Sequence, residues 1–280
     1  MKLHEKTLNI IMTAKAILAA HNPMTVRQVY YQLVSRQVVK NNRNRYQSVS
    51  DAIVKARQQG IIPWEWIEDR LRRPRKVSMW ADLADFSDAA ARAYRRDVWA
   101  TQSVCVEVWL EKDALSGIFE DTLEPYGVTL NVGRGFDGWS SIRNAAERYA
   151  ARDEDGLDVT VLYFGDFDPS GEDMVRSLRD RLAYFDSRPE IIKCALTMND
   201  IERYNLPPDF AKKTDSRAAK FIAQHGDVSV ELDALPADVL ISRLVEEIER
   251  RMDMIELERV RAKQELERER LINALKAIES

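Results

Sequence analysis

Asp166 and Asp168 stand two residues apart in the stretch TVLYFGDFDPSGEDM, Thr160 to Met174, between an apolar run and a Pro-Ser-Gly turn. In a locally extended chain that spacing points both carboxylates the same way, and paired hard oxygens suit a cation such as Mg²⁺. Helix capping is the plainer alternative, with Asp168 or Ser170 starting a helix near Gly171 and Glu172. Glu111 ends a second apolar run and is followed by Lys112 and Asp113. Different chemistry is offered by the adjacent Tyr30 and Tyr31. Val26, Val29 and Leu33 define the apolar stripe of their helix, Tyr30 joins its edge, and Tyr31 turns toward the polar side. Arg27, one turn earlier, is placed to ease a phenolate or grip a phosphate. An ordinary surface tyrosine fits the same pattern.

The elements that must hold these residues fall into two kinds. Helical spacing runs through residues 4–20, from Val26 to about Val38, and from Tyr46 to Gln59, with Thr25 as a cap and Gly60 as a stop. Three short helices predict a helix-turn-helix, and IIPWEWIEDRLRRPR after them predicts the β-hairpin wing of a winged helix. Arg43, Arg45, Lys55 and Arg57 on or near the third helix, and Arg70, Arg72, Arg73, Arg75 and Lys76 on the wing, would then face DNA phosphates; a solvated basic surface is the alternative. Residues 79–100 predict a connecting helix. From Ser103 onward strand and helix patterns alternate, at 103–123, 128–152 and 158–183, with a further short strand at 191–196; this predicts a parallel sheet. Gly133-Arg134-Gly135 precedes one of those helices, where such a turn can cradle a phosphate. The remainder, from 241 to 280, predicts one long charged helix, packed on its own domain or against another subunit.

Composition and charge agree with that division. A chain of 280 residues with 45% hydrophobic residues can bury a proper core. Residues 1–100 hold 18 Lys+Arg against 9 Asp+Glu, whereas 101–280 hold 24 against 37. A basic module joined to an acidic one suits a protein that grips a polyanion with the first and a metal with the second. No apolar run reaches the roughly 18 residues of a membrane span and no signal peptide is apparent, so a cytoplasmic, nucleoid-associated protein is expected. Cys105 and Cys194 lie far apart without ligand-spaced neighbours, and read as buried small side chains.

VRQVYYQLV, VEVWLEKDALSGIF, NVGRGFDGWSSIR, YFGDFDPSGEDM and VELDALPADVL occur in this order, and the set resembles the topoisomerase VI A-subunit family, most closely its compact stand-alone "mini-A" members. The resemblance implies an α/β protein with a winged-helix domain at 1–100, a Toprim domain at 101–240 and a C-terminal helix at 241–280. It implies Mg²⁺ held by Glu111, Asp166 and Asp168, and Tyr31, with Arg27, attacking duplex DNA to leave a 5′-phosphotyrosyl link. It also implies a homodimer whose sites each combine two subunits. ATP-driven strand passage would need a separate ATPase B-type subunit, since no GxxxxGK[ST] segment is present. Two other readings remain open: a hydrolytic Toprim nuclease, and a DNA-binding module that does not cut.

Overall fold

The computed structural model describes residues 5–67, 77–133, 138–208 and 217–279. It is an α/β protein built on a four-stranded, all-parallel sheet. The strands are β1 (Val104–Leu110), β2 (Thr129–Val132), β3 (Asp158–Phe164) and β4 (Glu190–Ala195). Their spatial order is β2-β1-β3-β4. The chain therefore moves outward from β1 to β2, then returns to add β3 on the other side of β1. The crevice at the carboxyl ends of β1 and β3 is the point where the winding direction reverses, the place where open α/β sheets bind ligands. β1 and β3 are the two central strands and are largely buried, which is why VCVEVWL and DVTVLYF read as nearly continuous apolar runs.

Ahead of the sheet stand α1 (Glu5–His21), α2 (Val26–Ser35) and α3 (Arg43–Gln58), which pack on one another as a three-helix unit. A capping box starts α2: the Thr25 side chain accepts from Gln28 N while the Gln28 side chain accepts from Thr25 N. Ile11, Ala14, Ile17, Val29, Leu33, Val49 and Ile53 fill the space between these helices. The same apolar cluster continues into Val108, Leu110, Phe119 and Phe164 around the sheet, so the two regions share one core. Each large side chain fully buried there contributes about 1.5–3 kcal/mol.

Three expectations need correction. The predicted hairpin wing is not formed by residues 61–67, where a single 3-10 turn at Trp64–Trp66 leads to one isolated parallel bridge between Met24 and Ile67. Arg57 explains this locally, since its guanidinium stacks on the Trp64 ring at 4.2 Å and donates to the Trp64 carbonyl at 2.9 Å, folding the chain back on α3. Arg70, Arg72, Arg73, Arg75 and Lys76 lie outside the described residues, as does Arg134. The connecting helix is shorter than predicted, α4 (Leu83–Ala93), because Tyr94 turns extended to donate its hydroxyl to Glu267 at 2.6 Å. The long terminal helix is divided in two: α10 (Ala237–Glu249) and α11 (Met254–Glu279). Asp253 separates them, its carboxylate accepting from the Ile255 and Glu256 amides while the Gln102 side chain pairs with its backbone. Residues 240 and 241 thus lie within α10. The far end of α11 packs on α4, where Arg96 joins Glu267 at 2.6 Å.

The remaining helices are α5 (Ser116–Leu123), α6 (Trp139–Glu154), α7 (Pro169–Ala183), α8 (Met198–Arg203) and α9 (Ala218–His225). Among the described residues no helix is long and apolar enough to cross a membrane. Both cysteines are buried, and burial pushes the Cys105 thiol up to about 11.

Candidate functional site

Glu111 leaves β1 and Asp166 leaves β3 at adjacent points of the sheet edge. The Glu111 amide donates to the Phe164 carbonyl at 2.9 Å, and the Asp166 amide donates to the Glu111 carboxylate at 3.0 Å. Tyr163 Oη donates to the same Glu111 oxygen at 3.3 Å. Gly165 makes this fit possible: a Cβ there would come within 2.6 Å of both Glu111 Oε2 and the Tyr163 ring. A Cβ on Gly171 would likewise collide with the Asp166 carbonyl. The glycines of GDFDPSG therefore permit close backbone approach as well as turning.

The two aspartates do not point to one place. Asp168 is the N-cap of α7, its Oδ1 accepting from the Gly171 amide at 2.6 Å, so the capping role is real. Asp166 is buried and turns inward, with Oδ1 accepting from the Leu232 amide at 2.8 Å and Oδ2 paired with Lys112 at 2.9 Å. The shared direction expected of an extended chain is lost because Pro169 opens the helix immediately after Asp168, and capping sets that side chain's rotamer. All three acids nevertheless stay close enough to interact. Burial, then Asp166, and more weakly Asp168, raise the Glu111 carboxyl above its ordinary range, while the hydrogen bond from the Asp166 amide and the charge of Lys112 oppose the rise. Burial also raises Asp166, against the pull of Lys112 and the Leu232 amide.

A second group of charged residues, which sequence reasoning did not assign to the site, completes it. Phe167 and Val230 exchange both backbone hydrogen bonds at 2.9 Å, which docks the segment after Val230 onto the loop that follows β3. Glu231 and Asp233 arrive with it. Lys112 Nζ lies 3.3 Å from Glu231 and 3.9 Å from Asp233, as well as 2.9 Å from Asp166. Asp233 is buried, and neither carboxylate oxygen has a hydrogen-bond partner. Burial raises its carboxyl to about 6 in spite of Lys112 and Arg27. Lys112 was visible only as the residue after Glu111, and the ELD of VELDALPADVL only as part of a motif, because no local pattern tells which distant loop a carboxylate will meet.

Helix α2 reaches this group from the other side, packing on the 3-10 turn Leu232–Ala234. Arg27 Nη1 lies 3.2 Å from Glu231 and 3.9 Å from Asp233. Tyr31, expected on the polar side, is in fact buried, with only 8% of its surface exposed. The position is polar without being open: burial, then the charge of Glu231, raises the phenol well above its ordinary range, against the pull of Arg27. Tyr30 is buried as well, but serves structure, since its hydroxyl accepts from the Asn42 amide at 2.8 Å and donates to Asn41 at 3.0 Å. Arg43, Arg45 and Lys55 are exposed on α3, whereas Arg57 is engaged with Trp64.

The donor chemistry of Glu111, Asp166 and Asp168 is all carboxylate oxygen, which suits Mg²⁺. Among the described residues, however, no three such groups converge on a single point, and the Lys112 ammonium balances the charge of Asp166. A cation on Asp166 would meet the Lys112 ammonium, 2.9 Å from Oδ2, whereas Asp168 caps α7 through Oδ1 alone. Comparison with protein-family models, curated proteins and solved structures finds no match.

Proposed function

We propose that this chain is a type IIB topoisomerase-like DNA transesterase that cleaves duplex DNA through Tyr31, with Mg²⁺ as cofactor. The observation that carries the reading is the continuous chain of ion pairs from Arg27, one turn before Tyr31 on α2, through Glu231 and Lys112 to Asp166 at the sheet's switch point. A phenol, a guanidinium, an ammonium and the strand-end acids are what attack on a phosphodiester requires: a nucleophile, cations for the phosphate, and oxygens for a metal. Mg²⁺, when held by Glu111, Asp166 and Asp168, would neutralise charge developing on the phosphate.

The chain's own residues supply the rest. Tyr31 Oη forms a bond to phosphorus, the P–O3′ bond breaks, and a 5′-phosphotyrosyl link and a free 3′-hydroxyl result. The link keeps the bond energy, so religation is open to the same site. Arg27 holds a positive charge beside the attacked phosphate, and Arg43, Arg45 and Lys55 add sequence-independent affinity that falls steeply with salt. A homodimer would bring two such sites to opposite strands, and a separate ATPase subunit would be needed for driven strand passage.

Incubation of supercoiled plasmid with Mg²⁺, before and after protease treatment, tests the reading. Wild type is expected to give protein-linked breaks, and Tyr31→Phe and Asp166→Ala none. The burial of Tyr31 favours one competing reading, in which water attacks and the tyrosine only packs; free 5′-phosphate ends, equally abundant with Tyr31→Phe, would establish that instead.

A further inference from the structure

On the side of the sheet covered by α6 and α7, two large aromatic rings face solvent. Trp139 opens α6 and is 54% exposed; Tyr184 follows α7 and is 72% exposed. Their centroids lie 5.2 Å apart, and the Phe185 ring packs edge-on against both, at 6.0 and 5.1 Å. Such packing holds the rings in place while much of their surface stays open. The Arg181 guanidinium stands 5.0 Å from the centre of the Trp139 ring. The three rings, Ser140 and Arg143 line an open hollow of about 480 Å³. Among the described residues no carboxylate lines it, although residues 101–280 carry an excess of acid.

We infer that this hollow binds an unpaired DNA strand, with bases stacked on Tyr184 and Trp139 and a backbone phosphate on Arg143. Every base has a π-face, so exposed rings interleaved with guanidinium groups hold single strands whatever their sequence. Paired bases are stacked on one another and cannot lie on these rings. Arg143 pairs with Glu147 at 2.8 Å, but both side chains are more than half exposed, and a solvent-screened pair of that kind yields readily to a phosphate. The hollow also connects with the candidate site. A cleft lined by Glu111, Gly133, Ile142, Met174, Leu178 and Arg181 leads from the carboxyl end of β1 to the same Arg181 that stacks on Trp139. The choice of DNA rests on the cleavage reading above, whereas the placement of rings and cations does not.

The experiment titrates the full chain with fluorescein-labelled oligo(dT) in EDTA, where Mg²⁺-dependent cleavage cannot run, so that its outcome is separate from that of the plasmid assay. Thermal melts accompany each variant. Tyr184→Ala is expected to weaken oligo(dT) binding about tenfold, with its melting midpoint and its affinity for a blunt duplex unchanged, while Tyr184→Phe, which keeps the ring, stays near wild type. Arg143→Gln lowers the slope of log affinity against log salt by about 0.7. Tryptophan emission falls on binding in wild type, and much less in Trp139→Phe, which keeps a ring but removes the fluorophore. Equal oligo(dT) affinity for wild type and Tyr184→Ala, or quenching undiminished in Trp139→Phe, overturns the inference. Tighter binding of oligo(rU) than of oligo(dT) overturns the assignment to DNA. Self-association of wild type in sedimentation, abolished by Tyr184→Ala while oligo(dT) affinity stays constant, would make the rings a protein contact and overturn it as well.

Discussion

Glu107 and Glu111 stand four residues apart at β1 and its carboxyl end, and they are treated in opposite ways. Glu107 is buried but fully served: Arg148 donates to both its oxygens at 3.0 and 2.8 Å, Asn131 donates at 2.8 Å and Tyr149 Oη at 3.1 Å. Every donor comes from α6 or β2, so this network fastens a helix and an edge strand to the sheet. At the carboxyl edge, Asp166, Glu231 and Asp233 share Lys112, Arg27 reaches only Glu231 and Asp233, and neither carboxylate oxygen of Asp233 has a hydrogen-bond partner. A buried acid kept for structure is given its full set of donors. An acid left short of them costs stability, and that cost is retained where the unsatisfied oxygens have work to do.

Substitutions at the two places should therefore differ in sign. Glu107→Ala strands Tyr149, Asn131 and Arg148, and is expected to lower stability by about 2–3 kcal/mol in denaturant titration, somewhat below a fully buried pair because Arg148 is 40% exposed. A loss below about 0.5 kcal/mol would break the contrast, since Glu107 would then be no better served than the edge acids. Asp233→Asn acts the other way. With its folded carboxyl raised to about 6 from an ordinary 3.8, Asp233 binds a proton more tightly folded than unfolded. Its charge therefore withdraws stability progressively as pH rises from about 4 to about 6, and the deficit persists above that. The wild-type minus Asp233→Asn difference in melting free energy should become more negative across that window by about 3 kcal/mol, the raised carboxyl already including the attraction of Lys112 and Arg27. A pH-independent difference would show that folding does not shift the Asp233 titration.

The smallest stability effect sharpens the comparison most. Asp168→Ser keeps an oxygen that can cap α7 but removes the charge, so the melting midpoint should move by no more than the equivalent of about 0.5 kcal/mol. If Asp168 also serves Mg²⁺, DNA cleavage falls sharply in the same variant; unchanged cleavage would leave it a cap alone.

Much of this was legible along the chain. The apolar runs of β1 and β3 identified buried parallel strands, and the acids at their ends marked the sheet edge where the charged residues gather. Thr25 and the glycines of GDFDPSG announced their helix start and their tight turn, because caps and turns are chosen within a few residues. The start of the expected wing, residues 61–67, is a 3-10 turn instead of a strand where Arg57 holds Trp64, and the single terminal helix failed at Asp253, whose backbone is held by Gln102 some 150 residues away in sequence. Tyr31 shows the limit most plainly. Its helix pattern set it off the apolar stripe, and that was right about polarity and wrong about exposure, because the surface it faces is made of Glu231 and Asp233.

The sequence by itself determined the elements, their parallel arrangement and the identity of the first acids, since these follow from periodicity and short-range sterics. Only the tertiary structure decided that Asp166 and Asp168 part company and that Lys112, Glu231 and Asp233 join them. Only it decided, too, that Tyr31 lies against those carboxylates within one chain. Such meetings depend on chain segments that close over more than fifty residues, and no local spacing encodes the partner at the far end.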